Sequence, residues 1–98
     1  MSKIDILNYL TENKDFFKNN YSIVKIGIFG SYSKNTQKEF SDIDIIIEFE
    51  PNTPKLFEKK QELRNLMKLK FGKEIDICRE KYIKPYYRDM ILSEAIYV

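Results

Sequence analysis

The stretch DIDIIIEF, residues 42–49, decides the fold, because it alternates acidic with aliphatic side chains and then continues as a run of isoleucines. Alternation with a period of two residues is typical of a β-strand whose two faces have different surroundings. It predicts a strand over residues 42–49, with Asp42 and Asp44 on one face and Ile43, Ile45 and Ile47 on the other. Pro51 follows and predicts the end of this strand, because proline cannot donate a hydrogen bond to a sheet.

Before this strand, the sequence predicts one helix, one strand and one loop. Ser2 and Asp5 are typical of a helix amino-terminal cap, and the apolar spacing that follows predicts a helix over residues 3 to about 19. β-branched and aromatic side chains over residues 23–29 predict a strand that ends at Gly30. Residues 31–41 are polar and predict a loop that contains at most a short helical turn.

After this strand, the sequence predicts a helix, a strand and a second helix. Thr53 and Pro54 indicate the start of the helix, and Gly72 indicates its end. Residues 74–78 predict a third strand, and a last helix is predicted from Pro85 to about Ser93, with residues 96–98 extended. The apolar stripe of the long helix is predicted to contain Leu56, Phe57, Leu63, Leu66, Met67 and Leu69, up to Phe71.

The order of these elements predicts an α/β (α+β) fold, a small mixed β-sheet covered by helices. A strand, helix, strand sequence of this length implies a right-handed crossover, so the strands over 42–49 and 74–78 are expected to be parallel neighbours. The chain has 98 residues, of which 43% are hydrophobic and 33% charged. We expect residues 1–98 to form a single compact domain with a modest core.

The composition also excludes several classes of function. A net charge of +2 with interleaved signs makes nucleic acid an unlikely acceptor or partner. Because Cys78 is the one cysteine and histidine is absent, we expect no intrachain disulfide, and a metal would be held by oxygen atoms. No apolar run approaches the roughly 20 residues that span a bilayer, and no secretion signal is visible, so a cytoplasmic location is expected.

Three aspartates interrupt strands that are otherwise aliphatic. Asp42 and Asp44 repel each other unless a cation lies between them, and Asp76 is expected on the neighbouring parallel strand. Such a cluster suits a hard divalent ion. Taken alone, Asp42 and Asp44 are more often a solvated strand edge, and Asp76 alone is ambiguous. The depletion of aspartate in strands favours the metal-site interpretation.

Gly30 and Ser31 directly follow an apolar strand. Glycine permits a sharp turn close to a ligand, and the following amides with the Ser31 hydroxyl can donate hydrogen bonds to phosphate oxygens. An ordinary turn is the alternative, and it would be preferred if this feature stood alone.

Together, Gly30-Ser31, the Asp42-Ile43-Asp44 triplet and the later Asp76 resemble the pattern of the DNA polymerase beta nucleotidyltransferase superfamily. The runs FGSYSK (residues 29–34) and SDID (residues 41–44), with the short length, are similar to the minimal nucleotidyltransferases, and the resemblance covers nearly the whole chain. Many relatives carry arginine and glycine where this chain has Lys34 and Asn35. Lysine keeps the charge, and asparagine tolerates a left-handed backbone.

This resemblance implies a polymerase-beta-like nucleotidyltransferase fold and the transfer of AMP from ATP to a hydroxyl group. It implies that Asp42, Asp44 and Asp76 are the catalytic and metal-binding residues and that two Mg²⁺ ions take part. It also implies that Gly30, Ser31 and Lys34 bind the nucleotide phosphates. For Lys34 the alternative is a lysine that is merely solvated in an exposed loop. Minimal nucleotidyltransferases commonly serve as antitoxins of HEPN-type ribonuclease toxins and modify a toxin tyrosine, so the expected partner is such a toxin, in an oligomer with this chain.

Two rival functions stay open at this point. The first is a catalytically idle binding module that neutralises a partner protein by masking it. The second is nucleotidyl transfer to a small molecule, although relatives of that kind usually carry an additional acceptor domain. Tyr86 and Tyr87 are candidates for partner contacts, but packing of both side chains against the sheet is the preferred interpretation.

Overall fold

The computed structural model describes residues 1–98, which form four strands, five α-helices and one 3₁₀ turn. The helices are α1 (Lys3–Glu12), α2 (Lys14–Tyr21), α3 (Gly30–Ser33), α4 (Leu56–Phe71) and α5 (Pro85–Glu94). The strands are β1 (Ile23–Phe29), β2 (Ile43–Phe49), β3 (Ile75–Arg79) and β4 (Ile96–Tyr97), and the 3₁₀ turn is Glu80–Tyr82.

The four strands form one mixed sheet in the order β3-β2-β1-β4. β1 pairs antiparallel with both β2 and β4, whereas β2 and β3 are parallel. α4 makes the crossover between the two parallel strands, as the sequence predicted. The predicted fold class, a small mixed sheet with helices packed on it, is therefore confirmed.

One face of the sheet carries the main core. The side chains of Ile43, Ile45 and Ile47 are completely buried, and they pack in one cluster with residues of α1, α2 and α4. The members of this cluster from these three helices are Ile6, Leu10, Phe17, Leu63 and Met67. Period-two alternation therefore directs the intervening side chains of β2, including Asp44, to the opposite face.

The amino-terminal helix is interrupted, so the prediction of one helix from residue 3 to about 19 was wrong. The capping box of Ser2 and Asp5 is present, but α1 ends at Glu12 and α2 begins at Lys14. Asn13 lies between them with a φ of −106°, and its side-chain amide donates to the carbonyl of Tyr9 at 2.9 Å. Asparagine competes with the helix for backbone hydrogen bonds in this way, which explains the break.

The start of α4 and part of its apolar stripe also differ from the prediction. Lys55, in the left-handed conformation, precedes the first helical residue, so Thr53 and Pro54 do not form the cap. Phe57 and Leu69 are 72% and 86% exposed and lie outside the core. Gly72 ends the helix as predicted, with a φ of +65°.

The carboxyl-terminal segment is held against β1. A side chain at Gly27 would strike the backbone of Ile96 and Tyr97, so glycine is what lets β4 approach this closely. Tyr97 donates a hydrogen bond to Glu80 at 2.6 Å, and Lys25 lies 3.2 Å from the same carboxylate. The end of α5 is thereby placed beside the end of α3. None of the helices has the length and hydrophobicity that a membrane span requires.

Candidate active site

Two of the predicted carboxylates lie side by side on the face of the sheet opposite the core. In the parallel pairing of β2 with β3, Asp44 is the direct partner of Asp76, and on its other side Asp44 pairs with Phe29 of β1. Directly paired residues project from the same face, so these three side chains form one row across the sheet. The structure therefore brings Asp44 and Asp76 together, as the parity of the sequence predicted.

The carboxyl group of Asp44 has a strongly raised pKa. Burial, followed by the negative charges of Asp76, Asp42 and Glu94, raises this pKa from 3.8 to about 6. Only Lys34 acts in the opposite direction. Groups with such pKa shifts cluster at functional sites, because the structure tolerates an unfavourable charge arrangement there.

Asp42 lies outside the strand. β2 begins at Ile43 and not at residue 42 as predicted, so Asp42 lies in the preceding loop, and its side chain is exposed. Asp42, Asp44 and Asp76 make neither a hydrogen bond nor an ion pair through their side chains, and Asp42 is close enough to affect the pKa of Asp44. In the structure no group of three or more aspartate, glutamate or cysteine side chains is arranged to hold a metal ion. The assignment of these residues as metal ligands stays a prediction.

Gly30 brings the turn after β1 into contact with this row. Its φ is +72°, a conformation that favours glycine, and a Cβ atom built at this position would collide with the Oδ2 atom of Asp44. The backbone of Gly30 and the carboxylate of Asp44 can lie together only because residue 30 has no side chain.

The short helix α3 fixes this turn. Tyr32 is buried in the core, and the buried Ser33 donates from its hydroxyl to the carbonyl of Gly30 at 2.9 Å. Ser31 lies between these anchors and Gly30, is partly exposed, and its hydroxyl makes no hydrogen bond. The first amides of a helix have no acceptor within it, so the Ser31 hydroxyl and these amides are donors available to a ligand.

Lys34 ends α3 and forms an ion pair with Glu94 of α5 at 3.2 Å. The sequence had predicted Lys34 as a phosphate ligand, whereas the structure joins it to a carboxylate that the sequence analysis did not consider. Glu94 was missed because β4 brings the end of α5 to this site, and no local pattern around Glu94 indicates that placement. Asn35 has a φ of +59°, which confirms that a left-handed backbone is tolerated there.

The site thus consists of a row of carboxylates next to a turn with free donors. Carboxylate oxygens are the ligands that Mg²⁺ prefers, and free hydroxyl and amide donors suit phosphate oxygens. The residues present therefore fit both a divalent cation and a phosphorylated ligand, because the unpaired acids would be neutralised by the cation.

The family follows from sequence comparison. Residues 10–98 match the model of the nucleotidyltransferase domain family, which is most of the chain. The chain belongs to this family and is a nucleotidyltransferase, so the predicted superfamily and the predicted enzyme class are confirmed.

Relatives of similar length show which nucleotidyltransferases this chain resembles along its length. The Thermococcus cleftensis relative "Protein adenylyltransferase MntA" is 31% identical over 96 residues, covering 96% of this chain and 93% of that protein. The Methanocaldococcus jannaschii relative "Putative protein adenylyltransferase MJ1379" is 35% identical over 95 residues, covering 96% and 95%. The chain is thus similar to minimal nucleotidyltransferases along nearly its entire length.

Solved structures give the same result. A structure described as a "putative minimal nucleotidyltransferase" superimposes with a TM-score of 0.77 at 25% identity, covering 98% of this chain and 95% of that one. A chain in the crystal structure of a toxin-antitoxin with AMP-PNP superimposes with a TM-score of 0.68 at 20% identity, covering 99% and 72%. The second match supports the fold alone.

Proposed function

We propose that this chain is a magnesium-dependent protein adenylyltransferase that transfers AMP from ATP to a tyrosine hydroxyl of a HEPN-type toxin, for which it is the antitoxin. The observation that carries the proposal is the contact between Gly30 and Asp44, with Asp76 paired directly beside them. A candidate phosphate-binding turn and a pair of carboxylates meet at one point on the sheet face opposite the main core.

In the proposed reaction, the tyrosine oxygen attacks the α-phosphorus of ATP. A new bond between oxygen and phosphorus forms, the bond to the bridging oxygen of the β-phosphate breaks, and pyrophosphate leaves with the electron pair. Asp76, exposed at the sheet edge, accepts the phenolic proton. The donors of the turn, the Ser31 hydroxyl and the neighbouring amides, hold the terminal phosphates in line with the attacking oxygen.

Asp42, Asp44 and Asp76 would hold two Mg²⁺ ions. When bound, these ions lower the pKa of the attacking hydroxyl and neutralise the triphosphate. The raised pKa of Asp44 supports this assignment, because a carboxylate surrounded by negative charge gains most from a cation. Lys34 would contact the phosphates only after leaving Glu94, so its predicted role requires that ion pair to open.

The partner and the acceptor are proposed from similarity. Relatives along the whole chain bear the name protein adenylyltransferase, and one fold neighbour is described as part of a toxin-antitoxin structure with a nucleotide analogue. The tyrosine acceptor and the toxin partner are proposed because the sequence resembles antitoxins of HEPN-type toxins. Transfer to a small molecule is not favoured, because the relatives of matching length are named for protein substrates.

The test is a transfer assay with a purified HEPN-type toxin, α-labelled ATP and Mg²⁺. We expect label on a toxin tyrosine, identified by mass spectrometry, and none when Mg²⁺ is removed with a chelator. The Asp76→Asn variant should label the toxin at least a hundredfold more slowly. Toxin neutralisation by Asp76→Asn equal to that by the wild type would instead support masking without catalysis.

A further inference from the structure

An ion pair joins the turn after β1 to the last helix. Lys34 follows the last residue of α3, and Glu94 is the last residue of α5. The Nζ atom of Lys34 lies 3.2 Å from a carboxylate oxygen of Glu94. The lysine side chain is 53% exposed, whereas the glutamate side chain is 13% exposed. The carboxylate is therefore held in place by its surroundings, and the lysine is the partner that can move.

This ion pair lies at the candidate active site and not on a remote surface. The negative charge of Glu94 is one of those that raise the pKa of Asp44, and the positive charge of Lys34 lowers this pKa. The backbone amide of Lys34 donates to the carbonyl of Gly30 at 3.2 Å, so this lysine belongs to the same turn as the proposed phosphate donors. A change at the ion pair therefore alters the charge that a bound phosphate meets.

Glu94 and a bound triphosphate would compete for Lys34. The side chain of Glu94 makes no other ion pair and no hydrogen bond, so its charge, which is largely withdrawn from water, depends on this lysine. If a phosphate contacted Lys34 while the ion pair stayed closed, two anions would share one cation and repel each other. Because the triphosphate carries more negative charge than one carboxylate, we expect Lys34 to transfer to it.

The helix that carries Glu94 is held by few contacts. None of the residues of α5 is buried. Arg88 donates to the carbonyl of Glu80 at 3.0 Å, and beyond the helix the two residues of β4 pair with β1. Loss of the ion pair to Lys34 should therefore increase the local opening of α5.

From these contacts we propose that Glu94 is a positioning residue that competes with the nucleotide phosphates for Lys34, so that nucleotide binding opens the ion pair and loosens α5. The inference rests on the function proposed above. It adds a residue that sets the affinity for nucleotide and a route by which nucleotide occupancy reaches the last helix. The nucleotide-free chain keeps Lys34 paired, and the bound triphosphate replaces Glu94 as its partner.

The first test measures the Kd of α,β-methylene-ATP, an analogue that cannot release pyrophosphate, by titration calorimetry in saturating Mg²⁺. Glu94→Gln keeps the shape of the side chain and frees Lys34, so its Kd should be roughly fivefold lower than that of the wild type. Lys34→Ala removes the phosphate contact and should raise the Kd roughly tenfold. Asp89→Asn is the matched control, because it removes the same charge from an exposed position of the same helix and should leave the Kd within about twofold.

Two results of this titration would overturn the proposal. A Kd in Glu94→Gln equal to that of the wild type would mean that the ion pair is only structural. A higher Kd in Glu94→Gln would mean that Glu94 holds Lys34 in place for the phosphate and does not compete with it.

The double variant Lys34→Ala with Glu94→Gln shows whether Glu94 acts through Lys34. Competition predicts that its Kd equals that of Lys34→Ala within about twofold, because the side chain for which Glu94 competes is gone. A Kd in the double variant that is about fivefold lower than in Lys34→Ala would show that Glu94 repels the phosphates directly, and it would overturn the proposal.

Hydrogen exchange tests the link to α5 in the wild-type chain and needs no substitution. Binding of α,β-methylene-ATP should increase the exchange rate of the amides of residues 89–95 roughly twofold or more. In Glu94→Gln these amides should exchange at the faster rate with and without the analogue. Protection of these amides by the analogue in the wild type, or an unchanged rate, overturns the proposal.

These measurements involve neither an acceptor nor transfer, so the two proposals can fail separately. Tighter binding in Glu94→Gln combined with no labelling of the toxin would support the competition for Lys34 and contradict AMP transfer. Labelling of the toxin combined with an unchanged Kd in Glu94→Gln would leave the adenylyltransferase intact and overturn the competition.

Discussion

The two faces of the same strands show how one short chain separates stability from chemistry. On one face Ile43, Ile45 and Ile47 are completely buried beneath three helices. On the other, Asp44 stands between Phe29 and Asp76 with no ionic or hydrogen-bonded partner. Alternation places these sets one residue apart, so substitutions at adjacent positions should have effects of entirely different kinds.

The largest expected effect is loss of transfer in Asp44→Asn. The amide keeps the shape of the side chain and removes the charge, so labelled AMP transfer should fall roughly a thousandfold or more. Asp89→Asn, at an exposed position of α5, is the control and should keep full activity. A reduction of AMP transfer of less than tenfold in Asp44→Asn would contradict the claim that one face serves stability and the other serves chemistry.

The neighbouring position should show the opposite behaviour. Ile45→Ala removes a completely buried side chain and should lower the free energy of unfolding by about 2–5 kcal/mol. The kcat of the remaining folded protein should stay within about threefold of the wild type. Urea unfolding measures the change, with Ile4→Ala as the control, because Ile4 is 61% exposed and its truncation should cost little. Equal costs for the two variants would contradict the assignment of the core face.

Gly30→Ala tests the contact between the turn and Asp44. Both Gly30 and Gly72 have positive φ, but only at Gly30 would a Cβ atom meet another group, the carboxylate of Asp44. Each alanine variant should lose about 1–2 kcal/mol of stability through backbone strain. Only Gly30→Ala should also reduce transfer, by roughly a hundredfold. Equal activity in the two variants would show that the contact has no catalytic role.

The smallest expected effect is a pH dependence of stability. The folded pKa of Asp44, about 6, exceeds its ordinary value of 3.8, so ionisation of this group disfavours the folded state above pH 6. As the pH falls through 6 towards 4, this penalty disappears. In metal-free buffer at pH 7.5, Asp44→Asn should be more stable than the wild type by roughly 1 kcal/mol, a value reduced for the partial exposure of the group. The difference should vanish near pH 4, and thermal unfolding at both pH values measures it.

The sequence was most informative where side chains alternate. Alternation alone placed Asp44 on the face opposite Ile43, Ile45 and Ile47, and the length of the crossover indicated the parallel pairing that joins Asp44 to Asp76. The turn at Gly30 was visible because a glycine directly follows an apolar strand. These predictions depend on local geometry, which is why they could be made without a structure.

Long-range contacts were the part that the sequence did not reveal. Glu94 lies beside Lys34 because β4 pairs with β1. A glycine is needed at residue 27 because the backbone of β4 lies directly against it. Phe57 and Leu69 match the helical period but face solvent, since period alone does not say how wide the covered face is. Tyr86 is also largely exposed, contrary to the preferred expectation that it packs on the sheet.

The central claim is that the sheet face opposite the main core binds a divalent cation through its carboxylates, and a Mn²⁺ titration followed by electron paramagnetic resonance tests it most directly. Mn²⁺ replaces Mg²⁺ at sites of oxygen ligands and reports binding without any acceptor. We predict saturable binding by the wild type and by Asp89→Asn, weakened at least tenfold in Asp44→Asn and in Asp76→Asn. Equal Mn²⁺ binding by all four proteins would contradict the claim.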